Sequence, residues 1–497
     1  MEYKSTRNSG LRVSAAQAIT QGISAEGGLF VPESLPRLEL EDLECLAGKS
    51  YNERAIEVLS LFLTDFSDEQ LCHCVNLAYT EEKFGDEEIT RLVQLGENGP
   101  AVLELWHGPT CAFKDMALQL LPHLLTTSAR IIRSDSERVI LVATSGDTGK
   151  AALEGFRDVP GTRMMVFYPA DGVSPTQKRQ MVTQEGENVS VCAVEGNFDD
   201  AQTAVKSIFT DPVLRERMAE KGLQFSSANS INWGRLVPQI VYYVSAYCDL
   251  LADGKIKLGD PVNVCVPTGN FGNILAAYYA KKMGVPFGKL ICASNKNRIL
   301  TDFIRTGIYD CNRDFYATNS PSMDILVSSN LERLLYDLCG EEDLQVTSWY
   351  RDLKETGRFE IPLAVREKLM SEFWGGSCGE AETLSVIQRI FSEYSYLSDT
   401  HTAVALGVYE NYREETGDQT LTLVVSTANP YKFTGSVLSS LGEPGTEDEA
   451  EQMALLHRIS ELEIPASLLE IQDKPVRFNR LISREEMKEE VGRMLGL

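Results

Sequence analysis

Short apolar runs alternate with helical patterns through most of the chain after about residue 100. Apolar and β-branched stretches predict strands at residues 139–143, 164–168, 189–194, 262–266, 290–293 and 421–425. Apolar positions at helical spacing follow several of these strands, as at 150–156, 274–283 and 298–306. Strand-turn-helix order of this kind predicts an α/β fold with largely parallel sheets.

The same pattern divides the chain into three parts. Residues 1–95 mix short helices with a glycine turn and predict an N-terminal domain. Residues 96–445 hold the strand-helix alternation and predict an α/β core. Residues 446–497 are charged and helical in spacing, and they predict a helical C-terminal tail.

Composition narrows the class of protein. The 497 residues suffice for two or three domains, and 43% hydrophobic with 24% charged residues is typical of a soluble globular protein. The net charge of −25 disfavours nucleic acid or an anionic membrane as a partner. Eleven scattered cysteines, no apolar run of membrane-spanning length and no signal-peptide pattern predict a cytoplasmic protein with reduced thiols. Cys72-His73-Cys74 lacks a second pair of ligands, so we interpret it as part of a helix and expect no metal site.

Lys114 is the strongest candidate for chemistry. An apolar run at 101–106 leads to a Gly-Pro turn, and leucines at helical spacing follow Asp115. Lys114 thus stands beside Phe113 at a helix start, where burial and the helix dipole both disfavour an ammonium. A neutral lysine amine can attack a carbonyl, so Lys114 is a candidate Schiff-base lysine. In isolation the pattern is more typical of a surface lysine.

Two loops after predicted strands offer anion sites. At 144–149, the hydroxyls of Ser145 and Thr148 and the backbone N–H groups suit a carboxylate. At 268–273, two glycines allow the backbone to approach a monophosphate at a helix N-terminus, without the lysine of a Walker A loop. Each loop alone also fits an ordinary turn.

A third loop, at 226–235, places Ser230, Asn232 and Arg235 before an apolar helix, and an arginine there can bind phosphate or carboxylate. Its alternative is an N-cap cluster with a solvated arginine.

Thr427 adds a neutral hydroxyl after the last predicted strand. A candidate Schiff-base lysine, a monophosphate loop and a second anion site together point to pyridoxal 5′-phosphate.

Several motifs along the chain also carry a family resemblance. The chain resembles the bacterial threonine synthases, a family of fold-type II pyridoxal-phosphate enzymes. The motifs lie at residues 3–7, 27–32, 107–110, 112–115, 143–149, 229–235, 269–273, 320–325, 399–405 and 426–433. Since the motifs at 3–7, 27–32 and 320–325 are not shared by cysteine synthases or serine dehydratases, the resemblance is specific.

The resemblance implies that residues 96–445 form a pyridoxal-phosphate-binding catalytic core of two lobes. It also implies a role for each candidate residue. Lys114 would form the Schiff base with pyridoxal phosphate. Asp147 would lie near the ring 3′-oxygen and Thr427 at the pyridine nitrogen. The remaining roles are the cofactor phosphate for Gly269, Asn270, Phe271, Gly272 and Asn273, the substrate carboxylate for Ser145 and Thr148, and the substrate phosphate for Ser230, Asn232 and Arg235.

The implied reaction converts O-phospho-L-homoserine and water to L-threonine and phosphate. Three alternatives stay open: a phospho-lyase releasing 2-oxobutyrate from the same substrate, a lyase such as threonine dehydratase, and a non-catalytic protein that keeps the fold. A monomer and a homodimer are both compatible with the sequence. Asp147 stands where several relatives have Asn, Thr400 where Pro is common and Asn429 where many have His, so no role is assigned to position 429.

Overall fold

Two sheets of mostly parallel strands form the centre of the molecule, and a small antiparallel sheet precedes them. The computed structural model describes residues 1–144, 146–170, 173–196, 198–446 and 448–497, without the side chains of Phe198 and Asp199. Within these ranges, no helix combines the length and the apolar character that crossing a bilayer requires. The α/β class and the largely parallel sheets are confirmed.

The N-terminal region combines a three-stranded antiparallel sheet with short helices. Its elements are β1 (Glu2–Ser5), β2 (Asn8–Ser14), α1 (Ala15–Gln21), β3 (Phe30–Pro32), α2 (Leu40–Ala47), α3 (Tyr51–Phe62), α4 (Asp68–Ala78) and α5 (Glu81–Phe84). Ser14, Ser50 and Ser67 cap α1, α3 and α4 in capping boxes, so these helix starts are determined locally. Cys72-His73-Cys74 lies within α4, as the sequence predicts.

Strands and helices then alternate along the chain. Residues 91–226 form β4 (Arg91–Gln94), β5 (Ala101–Glu104), α6 (Lys114–Leu118), α7 (Leu121–Ile131), β6 (Glu137–Ala143), α8 (Asp147–Phe156), β7 (Thr162–Pro169), α9 (Pro175–Val182), β8 (Val189–Val194), α10 (Phe198–Thr210), α11 (Pro212–Glu220) and β9 (Leu223–Ser226). Residues 233–440 form α12 (Trp233–Ala252), β10 (Val262–Pro267), α13 (Gly272–Met283), β11 (Phe287–Ser294), α14 (Ile299–Thr306), β12 (Ile308–Asp310), α15 (Leu331–Leu338), α16 (Asp343–Thr356), β13 (Arg358–Glu360), α17 (Leu363–Glu372), β14 (Phe373–Ser377), α18 (Glu380–Tyr394), α19 (Thr400–Thr416), β15 (Thr422–Ser426) and α20 (Thr434–Ser440). Short 3-10 turns lie at Pro321–Met323 and Pro430–Phe433.

The C-terminal residues add a strand to the predicted helices. They form α21 (Glu449–Ser460), α22 (Ala466–Asp473), β16 (Leu481–Ile482) and α23 (Met487–Leu495). β16 pairs in parallel with β8, and Ile482 is buried in the apolar cluster beneath that sheet. A strand of two residues carries too short an apolar pattern to be predicted from periodicity.

The strand order brings the candidate loops to two neighbouring edges. The larger sheet has the order β14-β11-β10-β15-β5-β4 and is parallel except for β4. The smaller sheet has the order β16-β8-β7-β6-β9 and is parallel throughout. The carboxyl ends of parallel strands meet at one edge, so the loops after β5, β10 and β15 are neighbours, as are those after β6 and β9.

The N-terminal region shares its apolar core with both sheets. The Tyr3 and Phe62 rings lie 5.3 and 5.7 Å from the ring of Trp233, the first residue of the almost wholly buried α12. Thr6 and Arg7 donate to the buried carboxylate of Glu332 on α15, at 2.6 and 2.7 Å. The region is therefore packed against the α/β core, and the domain boundaries at residues 95 and 445 stay predictions.

Replacing Gly155 with alanine tests how closely α8 packs on the helix that starts at Lys114. A Cβ at Gly155 would lie 1.9 Å from the Leu118 carbonyl oxygen of α6, and a backbone atom cannot move aside by a rotamer change. We expect Gly155→Ala to lower the free energy of unfolding by about 3 kcal/mol. Thermal unfolding measures this loss. Gly492→Ala, where the helix α23 leaves open space, is the control; equal effects of the two would contradict the packing.

Candidate active site

The loop that ends at Lys114 is held against the loop after β15. The Phe113 N–H donates to the Thr427 carbonyl at 2.9 Å, and Ala112 forms an isolated β-bridge with Ala428. Lys114 is the first residue of α6, and its side chain is 11% exposed. These contacts place the Lys114 amine at the carboxyl edge of the larger sheet.

The Lys114 amine is less basic than an ordinary lysine. Burial lowers its pKa to about 8; Asp147, whose Oδ2 lies 3.7 Å from Nζ, opposes the shift, and the Arg235 and Lys432 charges add to it. The lowered pKa agrees with the sequence analysis. Burial is the main cause of the lowered pKa, as the sequence predicts. The second predicted cause was the helix dipole, but α6 is only five residues long, and in the structure two neighbouring cations make the further contribution. About a tenth of the amine is neutral at pH 7.

Asp147 is the centre of a buried cluster of charges. Lys432 Nζ lies 2.5 Å from Asp147 Oδ1, and the two side chains are 0% and 3% exposed. Gln177 Nε2 donates to the same oxygen at 2.9 Å. Although burial raises the pKa of Asp147, the charges of Lys432 and Lys114 bring it well below its ordinary value. Asp147 is therefore an anion in the fold.

Lys432 and Gln177 were not singled out from the sequence. Lys432 belongs to the segment after β15, where the sequence assigns a role to Thr427 alone. Its position between two aromatic residues, in the turn that follows a buried strand, was a usable signal. Gln177 carried no signal, because a glutamine in the first turn of α9 is usually exposed.

The turn before α8 requires a glycine. Gly146 has a φ of +151°, and a Cβ there would lie 2.5 Å from the Gln177 side chain. Thr144 Oγ accepts from the Gly146 N–H at 3.1 Å and holds the turn. Thr148 is half-buried in the first turn of α8, and Ser145 lies outside the described residues. The binding of a carboxylate by these two hydroxyls stays a prediction.

The loop between β10 and α13 is tightly held. A Cβ at Gly269 would lie 2.5 Å from the Ser322 carbonyl oxygen, so glycine is required there. Phe271 is buried with a left-handed φ of +65°, which costs a non-glycine residue about 1 kcal/mol. Ser328 Oγ donates to the Gly269 carbonyl at 2.8 Å, and α13 begins at Gly272. The free N–H groups of this first turn suit a phosphate.

Asn273 adds a donor in the same turn. Its Oδ1 accepts from the hydroxyls of Tyr242 and Tyr243, both at 2.6 Å, which orients the amide. Its Nδ2 is buried and has no hydrogen-bond partner among the described residues. A buried donor without a partner is costly unless a ligand accepts from it.

Arg235 is a buried cation on α12. The residue is 5% exposed, and its Nη1 donates to the Ala228 carbonyl at 2.9 Å. Burial lowers its pKa to about 10, and among the described residues it has no carboxylate within salt-bridge distance. Since a buried guanidinium is costly when it is unpaired, the position favours an anionic ligand.

The Asn232 side chain caps the N-terminus of α12. Its Nδ2 donates to the carbonyls of Ile19 and Ser227 at 3.0 and 2.7 Å, and its Oδ1 accepts from the Gly234 N–H at 2.9 Å. These bonds use both amide hydrogens. Asn232 therefore holds the loop in place, and its direct contact with a phosphate stays a prediction.

Ser230 links the loop at 226–235 to the loop at 268–273, called the glycine loop from here on. Its hydroxyl lies 3.3 Å from Ser329 Oγ, which donates to Asn270 Oδ1 at 3.3 Å. The hydroxyl of Ser230 is half-buried, and Asn270 is exposed. The loops at 226–235 and 268–273, both of which the sequence predicts as anion sites, are therefore neighbours.

Ser322 joins Lys114 to the glycine loop. Its Oγ accepts from Lys114 Nζ at 3.3 Å, and its carbonyl packs on Gly269. The Ser322 N–H donates to His401 Nε2 at 3.1 Å, while His401 Nδ1 lies 2.9 Å from Asp399 Oδ1. The motif at 320–325, to which the sequence assigns no role, thus contributes a contact to Lys114.

These residues fit pyridoxal phosphate. The Lys114 amine can attack an aldehyde, and the first turn of α13 with Asn273 offers donors to one phosphate. Thr427, buried at the end of β15, offers a neutral hydroxyl. The fit rests on Asn273 Nδ2, which has no hydrogen-bond partner among the described residues, and on the lowered pKa of Lys114.

Three family models match the chain along its length. Residues 2–79 match the threonine synthase N terminus, residues 88–349 the pyridoxal-phosphate dependent enzymes, and residues 402–491 the threonine synthase C-terminal region.

Individual relatives agree with these matches. The chain is 42% identical to human threonine synthase-like 1 over 436 residues, which are 86% of this chain and 58% of that protein, so it spans little more than half the length of such relatives. It is 37% identical to the threonine synthase of Eremothecium gossypii, over 93% of each chain. The crystal structure of PLP-bound threonine synthase from Brucella melitensis superposes with a TM-score of 0.88 at 35% identity, over 100% of each chain.

We expect Lys114 to be the first lysine that a carbonyl reagent modifies at neutral pH. With a pKa of about 8, it holds roughly two orders of magnitude more neutral amine at pH 7 than a lysine in water. Brief reductive methylation of the ligand-free chain between pH 6 and 10, followed by peptide mass mapping, measures this, with exposed Lys255 as the reference. Half-maximal labelling of Lys114 above pH 10 would contradict the lowered pKa.

Proposed function

Because the chain belongs to the threonine synthase family of pyridoxal-phosphate dependent enzymes, we propose that it converts O-phospho-L-homoserine and water to L-threonine and phosphate. The observation that carries this proposal is Arg235, a buried guanidinium near the Lys114 amine with no carboxylate partner among the described residues. A lyase that acts on amino acids without a phosphate has no need of this second anion site.

The cofactor-binding residues would act together around Lys114. Bound pyridoxal phosphate supplies an electron sink for negative charge at the substrate Cα. The turn at 269–273 would hold its phosphate, Thr427 would meet the pyridine nitrogen, and Asp147 would lie near the ring 3′-oxygen. Lys114 would attach it covalently and, once released, would move protons at Cα and Cβ, which a pKa of about 8 suits.

The substrate would be held at both ends. Ser145 and Thr148 would bind its carboxylate, while Arg235 and Ser230 would bind its phosphate. Asn232 would act by holding their loop. Arg235 would then have two tasks, selecting a phosphorylated substrate and stabilising the phosphate as it leaves.

The thiols support a cytoplasmic location for this reaction. All eleven cysteines are free in the structure, and several of them are buried in the core. Unpaired thiols are typical of a reducing compartment.

Product analysis tests the proposed reaction. We expect the loaded wild-type enzyme to form threonine and phosphate from O-phospho-L-homoserine, and Lys114→Ala to form none, because no amine remains to bind the cofactor covalently or to move protons. Chromatography of the amino acids together with a phosphate assay measures this. Release of 2-oxobutyrate instead of threonine would identify a phospho-lyase, and equal threonine formation by the two proteins would rule out the role of Lys114.

Replacing Arg235 separates its two tasks. We expect Arg235→Met to raise KM and to lower kcat by about 10²-fold, since the leaving phosphate loses a charged donor. Steady-state kinetics of the loaded enzymes measure both constants. Arg138→Met is the control, because Arg138 is equally buried but lies on β6 and donates to Ser134 and Gln224. A change in KM alone would contradict leaving-group stabilisation.

A further inference from the structure

Lys432 is buried beside the candidate site without a role in binding the cofactor or the substrate. The turn Pro430–Phe433 begins three residues after Thr427, and the Asn429 side chain caps it by accepting from the Tyr431 N–H at 2.9 Å. Lys432 Nζ donates to the Thr110 carbonyl at 3.0 Å and to Asp147 Oδ1. Taking an ammonium fully out of water is costly, so its position calls for an explanation.

Lys432 and Lys114 share one carboxylate. Lys432 lies 2.5 Å from Asp147 Oδ1, and Lys114 lies 3.7 Å from Oδ2. Gln177 also donates to Oδ1, which leaves Oδ2 towards Lys114. The close partner of Asp147 is therefore Lys432, and Lys114 is held at a longer distance.

We propose that Lys432 is a positioning residue for Lys114: its ammonium neutralises and orients the Asp147 carboxylate, so that Lys114 is not captured as the counter-ion of that carboxylate. A Lys114 paired closely with Asp147 would stay protonated and would be a poor nucleophile and base. The inference rests on the proposed function only where it takes Lys114 as the reacting amine.

The other groups around Lys114 are consistent with this arrangement. Arg235 on α12 adds positive charge, and Ser322 contributes a neutral hydroxyl held by His401. Asp115, on the same helix as Lys114, is buried, which raises its pKa to about 6, and it accepts two hydrogen bonds from Thr110.

Cys111 is a further titratable neighbour of the cluster. Burial raises the pKa of its thiol to about 11, so it is uncharged near neutral pH. Asp147 is thus the carboxylate that contacts Lys114, and Lys432 is the cation that contacts Asp147 most closely.

Replacing Lys432 with methionine removes the charge at nearly constant volume. We expect the pKa of Lys114 to rise by about one unit, because Asp147 then has Lys114 as its nearest cation. In the full-length chain, loaded and then freed of cofactor, reductive methylation of Lys114 at pH 7 should fall by about tenfold. Peptide mass mapping across pH 6 to 10 measures the shift. In the loaded enzyme, the pH at which the visible absorption band changes should move upward as well.

Two further variants distinguish this role from a packing role. Asp147→Asn should move the pKa of Lys114 in the opposite direction, downward, which a loss of packing would not do. Lys432→Gln removes the charge but keeps hydrogen-bond donors, and it decides the question if Lys432→Met does not fold. Lys150→Met is the matched control: Lys150 is a buried, ion-paired lysine on the same helix as Asp147, and its replacement should leave Lys114 unchanged.

The outcomes separate this inference from the proposed function. A folded Lys432→Met or Lys432→Gln protein whose Lys114 labelling stays within twofold of wild type at pH 7 would overturn the inference, even if kcat falls. The expected opposite shifts in a protein that forms no threonine would support the inference and overturn the proposed reaction alone.

Discussion

The buried Asp147 carboxylate is the group on which the organisation of the site depends. Asp147 follows a strand of the smaller sheet, while Lys114 and Lys432 follow strands of the larger sheet, so their charges meet where the two sheets face each other. Such a cluster is costly to desolvate and is stable only when the charges compensate. Two lysines around one carboxylate give that compensation and still leave one amine with lowered basicity.

The proximity of the carboxyl edges of the two sheets also explains why the anion-binding loops are close together. Parallel strands end at a common edge: the turn before α13 and the loop at 107–114 lie at the edge of the larger sheet, and the start of α12 lies at the neighbouring edge of the smaller sheet. Arg333 on α15 links the N-terminal region to the loop at 226–235, since it donates to the carbonyls of Phe30 and Ile231 at 2.9 and 2.6 Å. The loop that carries Ser230 is therefore fixed by a region that lies far from it in sequence.

The site also shows how donors are kept ready for an anion. Within the described part of the chain, Arg235 is buried without a carboxylate partner and Asn273 Nδ2 is buried without an acceptor. Both arrangements reduce the stability of the ligand-free fold, and both are relieved when an anion binds. A site of this kind is expected to make the protein more stable in its loaded form.

The sequence by itself determined the α/β alternation, the position of the loops at 144–149 and 268–273 and of Thr427 after strands, and the lysine with lowered basicity, because strand and helix periodicity report burial locally. Only the tertiary structure decided that Lys432 pairs with Asp147, that Asn232 caps α12 and that β16 completes the smaller sheet. Each of these depends on a partner distant in sequence or on a segment too short to show a period. Hydrogen bonds and ion pairs between such partners are set by how the sheets pack, and a local pattern of polar and apolar residues does not contain that information.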